Sequence, residues 1–465
     1  MNLPKLSHSL PMSRAKMKCA IGRTGRLAVL SALGAIAVFA LASLGTGAVG
    51  RVSVRRSPRL PPMTAKAPKT RNVLLVLTES VRFDSVCVDY RADCKLTPFT
   101  NRLTESRFPL LQARSISSTT AISIGVLWSG LLPTQMTEAI RSAPMLFDFA
   151  RAGGYDTAYW SSQSNMFTGS AAFFSALPLT KRCSGSDLGV VPDDAGADDT
   201  LVTERAKREL PKLREPWLAV VQYANTHYPY RVRGEEPFQP ALEDKTAERT
   251  AHFKNHYQNA VYAQDRTIAE LLGSLRGSPA GARTVVIYTS DHGEAFREHG
   301  QLGHTTSVFE EELHVPTWID APPDVLAAGE REALTAARES LVWHLDFAPT
   351  LLDLLGLWDA PGVAPARQRM VGTSLLRPKR TSAILPLTNC AEIWGCSFRN
   401  WGVARGTLKL ESREFDADWH CWDLARDPHE QHDLGTESCA ELKTAAESFF
   451  GRLPREAPEM RGFSP

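Results

Sequence analysis

Five short apolar runs punctuate the chain, at Asn72–Leu77, Asp156–Trp160, Trp217–Tyr223, Thr284–Tyr288 and Val315–Ile319, each the length of a buried β-strand. Between them lie stretches with apolar residues at helical spacing, such as Ala260–Leu275 and Leu345–Leu355. Strands that are apolar throughout and alternate with helices predict an α/β domain, a mostly parallel sheet sandwiched by helices. After Arg377 the segments shorten and turn more polar, with aromatic residues set among them, as in Trp401–Leu410. That change predicts a main domain over 72–376 and a small C-terminal α/β subdomain with a few antiparallel strands over 377–465. The stretch Ser184–Asp199, rich in Gly, Asp and Ser, reads as a surface excursion.

The pattern before the first strand is different. A basic tail over 1–26, with Lys5, Arg14, Lys16, Lys18, Arg23 and Arg26, precedes an uncharged run from Leu27 to Gly50. About 24 residues at ~1.5 Å each would cross a ~30 Å hydrocarbon core, so 27–50 is expected to be a transmembrane signal anchor. The preceding charges predict a cytoplasmic N-terminus and the bulk of the chain on the periplasmic or extracellular side. The rival reading is a cleaved signal peptide, for which Gly47-Ala-Val-Gly50 is a poor cleavage site. Residues 51–71, rich in Pro, Arg and Lys, read as a linker.

Composition narrows the picture further. With 43% hydrophobic and 22% charged residues, the chain has a globular makeup. A net charge of +2, with the basic residues gathered near the N-terminus, gives no support to nucleic-acid binding. Seven of the eight cysteines follow the apolar run, and Cys87/Cys94, Cys390/Cys396 and Cys421/Cys439 are close enough to close short loops. An exported compartment would permit such disulfides, with Cys183 left over; buried thiols are the competing reading.

Chemistry concentrates where strands end. Thr284–Tyr288 empties into Asp291-His292-Gly293, and ligands of open α/β sheets gather beyond the carboxyl ends of the strands. The run from Asn72 ends at Glu79, which could place a second carboxylate at the same edge. Mixed oxygen and nitrogen donors suit one Zn²⁺ or Mn²⁺ ion better than Ca²⁺ or Mg²⁺. In the bland alternative, Asp291 and Glu79 merely cap the helices after them.

Several stretches, taken in order, resemble the sulfatase family of the alkaline phosphatase superfamily. They are Asn72–Asp84, Leu96-Thr-Pro98, Gly154-Tyr155, Thr226-His-Tyr-Pro-Tyr230, Ser290–Glu294, Gly303-His304, Glu312-Leu-His-Val-Pro316, Asp346–Asp353 and Trp422–Glu430. The resemblance implies that the nucleophile lies ten residues before Gly130 of Ser129-Gly-Leu-Leu-Pro133, at Thr120. Sulfatases carry Cys or Ser there, followed by Pro and Arg, and convert it to formylglycine. Thr120-Ala-Ile-Ser-Ile124 lacks all three and is similar instead to lipoteichoic acid synthases and phosphoethanolamine transferases, whose unmodified Thr attacks phosphorus.

The resemblance implies a metal held by Glu79, Asp291, His292 and Thr120, with His227 and His304 beside the anionic group to protonate the leaving oxygen. A Thr hydroxyl is a weak nucleophile at neutral pH, and a divalent cation supplies the activation it lacks. Arg82 and Asp84 are expected to pair behind the ligands; His299 and His314 receive no role. The expected function is a membrane-anchored, metal-dependent enzyme acting on phosphate esters, with a lipid or glycan of the cell envelope as substrate. The alternatives are sulfate-ester hydrolysis without formylglycine, and an envelope-binding pseudoenzyme.

Overall fold

The computed structural model describes residues 57–65, 71–135, 140, 142–164, 175–189, 196–378, 383–390 and 399–450. Seven strands form the main sheet: β1 (Asn72–Thr78), β2 (Phe108–Leu110), β3 (Asp156–Ser161), β4 (Lys181–Cys183), β5 (Trp217–Tyr223), β6 (Thr284–Ser290) and β7 (Thr317–Asp320). Their order is β2-β7-β6-β1-β5-β3-β4. β7 runs antiparallel to both of its neighbours and the remaining pairs are parallel. All five predicted apolar runs therefore lie in one sheet, although the last starts two residues later than its hydrophobicity suggests. Val315 instead donates its N–H to the Ala113 carbonyl (3.0 Å) outside that strand.

All seven residues of β1 are buried, and successive side chains enter different cores. Val73, Leu75 and Leu77 meet α1 (Thr120–Ser129), α2 (Leu146–Ala152) and α5 (Phe347–Leu354) on one face. Leu74 and Val76 meet α3 (Asp199–Glu209) and α4 (Thr250–Arg276) on the other. This is the sandwich that uniformly apolar strands demand.

Beyond it, β8 (Leu385–Leu387), β9 (Asn400–Arg405), β10 (Leu408–Arg413) and β11 (His420–Asp423) form an antiparallel sheet in chain order. Helix α6 (Ala440–Phe450) supplies Leu442 and Ala446 to a core with Trp401, Val403, Leu410 and Trp419. A further cluster, including Ile116, Val126, Leu313, Leu385 and Leu387, joins this sheet to the main one. Lys409 is fully buried at the same junction, with Nζ 2.7 Å from the Val308 carbonyl and 2.5 and 3.4 Å from carboxylate oxygens of Glu430 and Glu310.

Two expectations need correction. Leu27–Gly50 lies outside the described residues, and among the described residues no helix is long and apolar enough to cross a membrane, against the expected transmembrane helix. The longest described helix, α4, carries Lys254, Asp265, Arg266 and Glu270 along its length and buries one face against the sheet. The excursion at Ser184–Asp199 is also not wholly superficial: Ala197, Asp198 and Asp199 are buried. Asp199 accepts from Ser162 Oγ (2.7 Å) and from the backbone N–H groups of Ala224 (2.9 Å) and Asn225 (3.2 Å). Polar composition suggested solvent, but these donors supply a buried alternative.

Cys87–Cys94 and Cys421–Cys439 are disulfides, and Cys183 is a buried thiol. Cys396 lies outside the described residues.

Candidate active site

Parallel register assembles the site. Thr78 pairs with Ser290 on one side and Tyr223 on the other, and Ser161 pairs with Gln222. The segments leaving β3, β5, β1 and β6 consequently emerge side by side at the carboxyl edge. Glu79 donates its N–H to the Tyr223 carbonyl (2.9 Å), and Asp291 donates to that of Thr78 (3.0 Å). Ser80 then turns the chain with φ +57°, and its N–H reaches Asp291 Oδ1 (3.0 Å). Gly293 is required after the pair, because a Cβ would meet the Glu311 carbonyl oxygen at 2.2 Å.

Glu79, Asp291 and His292 are all fully buried, and one ligand atom from each lies within 4.8 Å of the others. His292 Nε2 is 3.5 Å from Glu79 Oε1 and 3.5 Å from Asp291 Oδ2. Its Nδ1 is bonded to the Gly293 carbonyl (2.9 Å), so Nε2 is the ring atom turned toward the carboxylates. Asp291 Oδ2 is buried without a donor among the described residues.

Electrostatics mark the same spot. Burial, reinforced by the charge of Glu79, pushes the Asp291 carboxyl up to about 7. Burial opposes charge on His292 as well, yet Asp291 and Glu79 raise it to about 10. Two buried carboxylates this close demand a positive charge between them. An orphaned carboxylate oxygen, an oriented imidazole and a mixed donor set fit one divalent cation.

Thr120 is the first residue of α1, with Thr119 rather than Thr120 at the cap position. Its hydroxyl turns away from the helix and donates to Glu79 Oε1 (2.7 Å), with His292 Nε2 at 3.1 Å. The helix behind it is fully buried and closes at Gly130, whose φ of +67° strains any side chain and where a Cβ would press on Met370 (3.0 Å) and Ala348 (3.1 Å). Ser123, one turn on, donates to the Asp291 carbonyl (2.5 Å) and meets buried His344 Nδ1 (3.1 Å). Helix and ligand loop are thereby locked together.

The two remaining predicted histidines meet edge to face, with ring centroids 5.3 Å apart, and the His304 ring lies 4.5 Å from that of His292. His227 Nδ1 is bonded to the Tyr228 carbonyl (2.8 Å) and His304 Nδ1 to Glu294 Oε2 (2.6 Å). Each ring is therefore anchored through Nδ1. Glu294 is itself buried and accepts from Tyr230 Oη (2.7 Å); burial would raise its carboxyl, but the His304 charge and hydrogen bond hold it below the ordinary range.

Thr120, Glu79, Asp291, His292, His227 and His304 thus form one cluster. Arg82 and Asp84 form a two-pronged pair at 2.8 Å, and Arg82 also reaches the Glu294 carbonyl (2.7 Å). His314, stacked on Phe83, and His299, stacked on Phe309, stand outside the cluster.

A family model described as Sulfatase matches residues 71–357. The chain belongs to the sulfatase family. Arylsulfatase K of Bos taurus is 36% identical over 112 residues, 24% of this chain and 18% of that protein. The chain spans less than half the length of the curated relatives it matches.

Among solved structures, a 2-O GAG sulfatase superposes with TM-score 0.61 at 16% identity, over 83% of this chain and 93% of the other. The soluble domain of lipooligosaccharide phosphoethanolamine transferase A from Neisseria meningitidis gives 0.55 at 19%, over 67% and 95%. Both share the sulfatase fold.

Sequence reasoning missed several side chains of this sulfatase-family site. Gln222 (3.3 Å) and Gln163 (3.5 Å) donate to Glu79 Oε2. Thr226 Oγ1 donates to the Glu79 carbonyl (2.5 Å). Glu294 and Tyr230 stand at the ends of the family-like stretches Ser290–Glu294 and Thr226–Tyr230, which is a usable signal. The glutamines had none, since lone amides inside or just beyond apolar strands look incidental.

Proposed function

We propose that this sulfatase-family enzyme transfers or hydrolyses phosphate esters through an unmodified Thr120 nucleophile. The observation that carries the reading is the Thr120 hydroxyl itself, aimed at Glu79 and His292 instead of its own helix. A divalent cation held by Glu79, Asp291, His292 and Thr120, Zn²⁺ or Mn²⁺ by donor type, would acidify the Thr120 hydroxyl and polarise the ester. Thr120 Oγ1, its proton released to solvent, forms a bond to phosphorus as the bond to the departing oxygen breaks. His304, with Nδ1 held by Glu294, and His227 present Nε2 to protonate that oxygen. Water or a hydroxyl of an envelope lipid or glycan then takes the phosphoryl group from Thr120.

Two disulfides support an oxidising location, periplasmic or extracellular, for a catalytic domain over 72–376 and a subdomain over 377–465. A second reading, sulfate-ester hydrolysis without formylglycine, is favoured by the likeness to arylsulfatase K. Turnover by Thr120→Ala, paired with mass spectrometry of the Thr120 peptide after brief exposure to substrate, separates the readings. Loss of turnover and an adduct of phosphate that keeps the substrate's second ester group, or of bare phosphate told from sulfate by exact mass, support the first. A sulfate-mass adduct supports the second, and full turnover by Thr120→Ala on phosphodiesters refutes the nucleophile.

A further inference from the structure

Asn389 follows β8 in the C-terminal sheet, is 4% exposed, and commits its whole side chain to two loops of the main domain. Its Oδ1 accepts from Ser117 Oγ (2.8 Å) and from the Ser118 N–H (2.8 Å). Its Nδ2 donates to Ser118 Oγ (2.7 Å) and to the Ser307 carbonyl (2.9 Å). An amide side chain has no further capacity.

These contacts land close to the reacting groups. Ser117 Oγ also accepts from the Thr119 N–H (3.1 Å), one residue before Thr120. Ser118 Oγ accepts from the Thr305 N–H (3.1 Å) and donates to the Ser307 carbonyl (3.0 Å). Asn400 Oδ1 holds the Asn389 N–H (2.8 Å), while Asn400 Nδ2 donates to the Thr305 carbonyl (3.3 Å). The residue after His304 is therefore held at both its N–H and its carbonyl. Docking of the C-terminal sheet does not depend on these bonds, because the apolar cluster around Leu385 and the buried Lys409 contacts join the same parts.

We propose that Asn389 is a positioning residue, setting the Thr120 loop and the His304 loop at a fixed spacing, so that the C-terminal sheet is a working part of the site. The proposal rests on reading Thr120 as nucleophile and His304 as acid. Misplacing reacting groups by a fraction of their contact distance costs rate more than substrate affinity.

The test uses the full chain, metal-loaded, with bis(para-nitrophenyl) phosphate as probe, and reports kcat per bound metal together with KM. Asn389→Ala is expected to lower kcat per metal by about tenfold or more while KM stays within roughly threefold. Asn389→Asp keeps the acceptor for Ser117 and Ser118 but loses both donors, to Ser118 Oγ and to the Ser307 carbonyl, and sets an oxygen against that carbonyl, so its loss should be at least as large. A kcat per metal within about twofold of wild type for Asn389→Ala overturns the proposal, as does a loss explained wholly by lower metal content. If Asn389→Ala does not fold, Asn389→Asp is judged on the same threshold. Thr120→Ala runs beside them: retained activity there refutes the nucleophile, whereas its loss with an intact Asn389 variant refutes only the positioning role.

Discussion

Glu294→Gln tests how the site readies its acid. The wild-type carboxylate accepts from His304 Nδ1 at 2.6 Å and from Tyr230 Oη at 2.7 Å while 1% exposed. Glutamine keeps the shape: its remaining oxygen can face His304, and the Tyr230 hydroxyl can rotate to accept from the amide. What disappears is the negative charge opposite the imidazole proposed as the acid. A hydrogen bond to a charged group contributes about 1.5–3 kcal/mol and a neutral one about 0.5–1.5. The difference, about 1–2 kcal/mol, is roughly a 5- to 30-fold fall in kcat wherever protonation of the leaving oxygen limits the rate.

The assay compares two phosphodiesters. A dialkyl ester, whose leaving alkoxide needs the proton, should show the full loss by product analysis. Bis(para-nitrophenyl) phosphate, whose leaving group needs little help, should lose less than about threefold. Equal losses on both esters would refute the link from Glu294 through His304 to the leaving group.

Three other outcomes are expected. Asp291→Asn should abolish tight binding of one metal per chain, measured by elemental analysis, and chelation of the wild type should remove turnover, restored by Zn²⁺ or Mn²⁺. Lys409→Met should destabilise the protein by about 3–5 kcal/mol in urea unfolding, because two buried carboxylates lose their cation, and adding Glu430→Gln should recover a large part. The Glu311 hydrogen bond, working against burial, raises the His299 imidazole to about 9. A raised folded-state value means stability that is complete below about 6.5 and lost as pH climbs through about 9. For this partly screened group it amounts to no more than about 1–2 kcal/mol, and His299→Gln should flatten that slope in denaturant melts across the interval.

The central strands were readable because they are buried on both faces, which leaves Val73–Leu77 and Val285–Ile287 apolar without interruption. The residues just past these strands were readable too, since Glu79 and Asp291-His292 interrupt an apolar run abruptly. Thr120 came from a family spacing; its local surroundings, Ser117-Ser-Thr-Thr120, look like any capping loop. Asp199 was misjudged because a carboxylate in a Gly- and Ser-rich stretch suggests water, whereas its partners are backbone N–H groups of another strand's exit. Asn389 could not be anticipated, because its partners lie 271 and 272 residues away and depend on how two sheets meet.

The register that sets Thr78 between Tyr223 and Ser290 also fixes when the site can exist. Ser80 finds Asp291 across 211 residues, and Glu79 finds Gln222 across 143. A chain emerging from the ribosome holds Glu79 and Thr120 long before it has made either metal-binding partner on β6's exit. If these residues hold the proposed ion, its capture would be a late event of biosynthesis, and uptake would report that the centre of the sheet has closed.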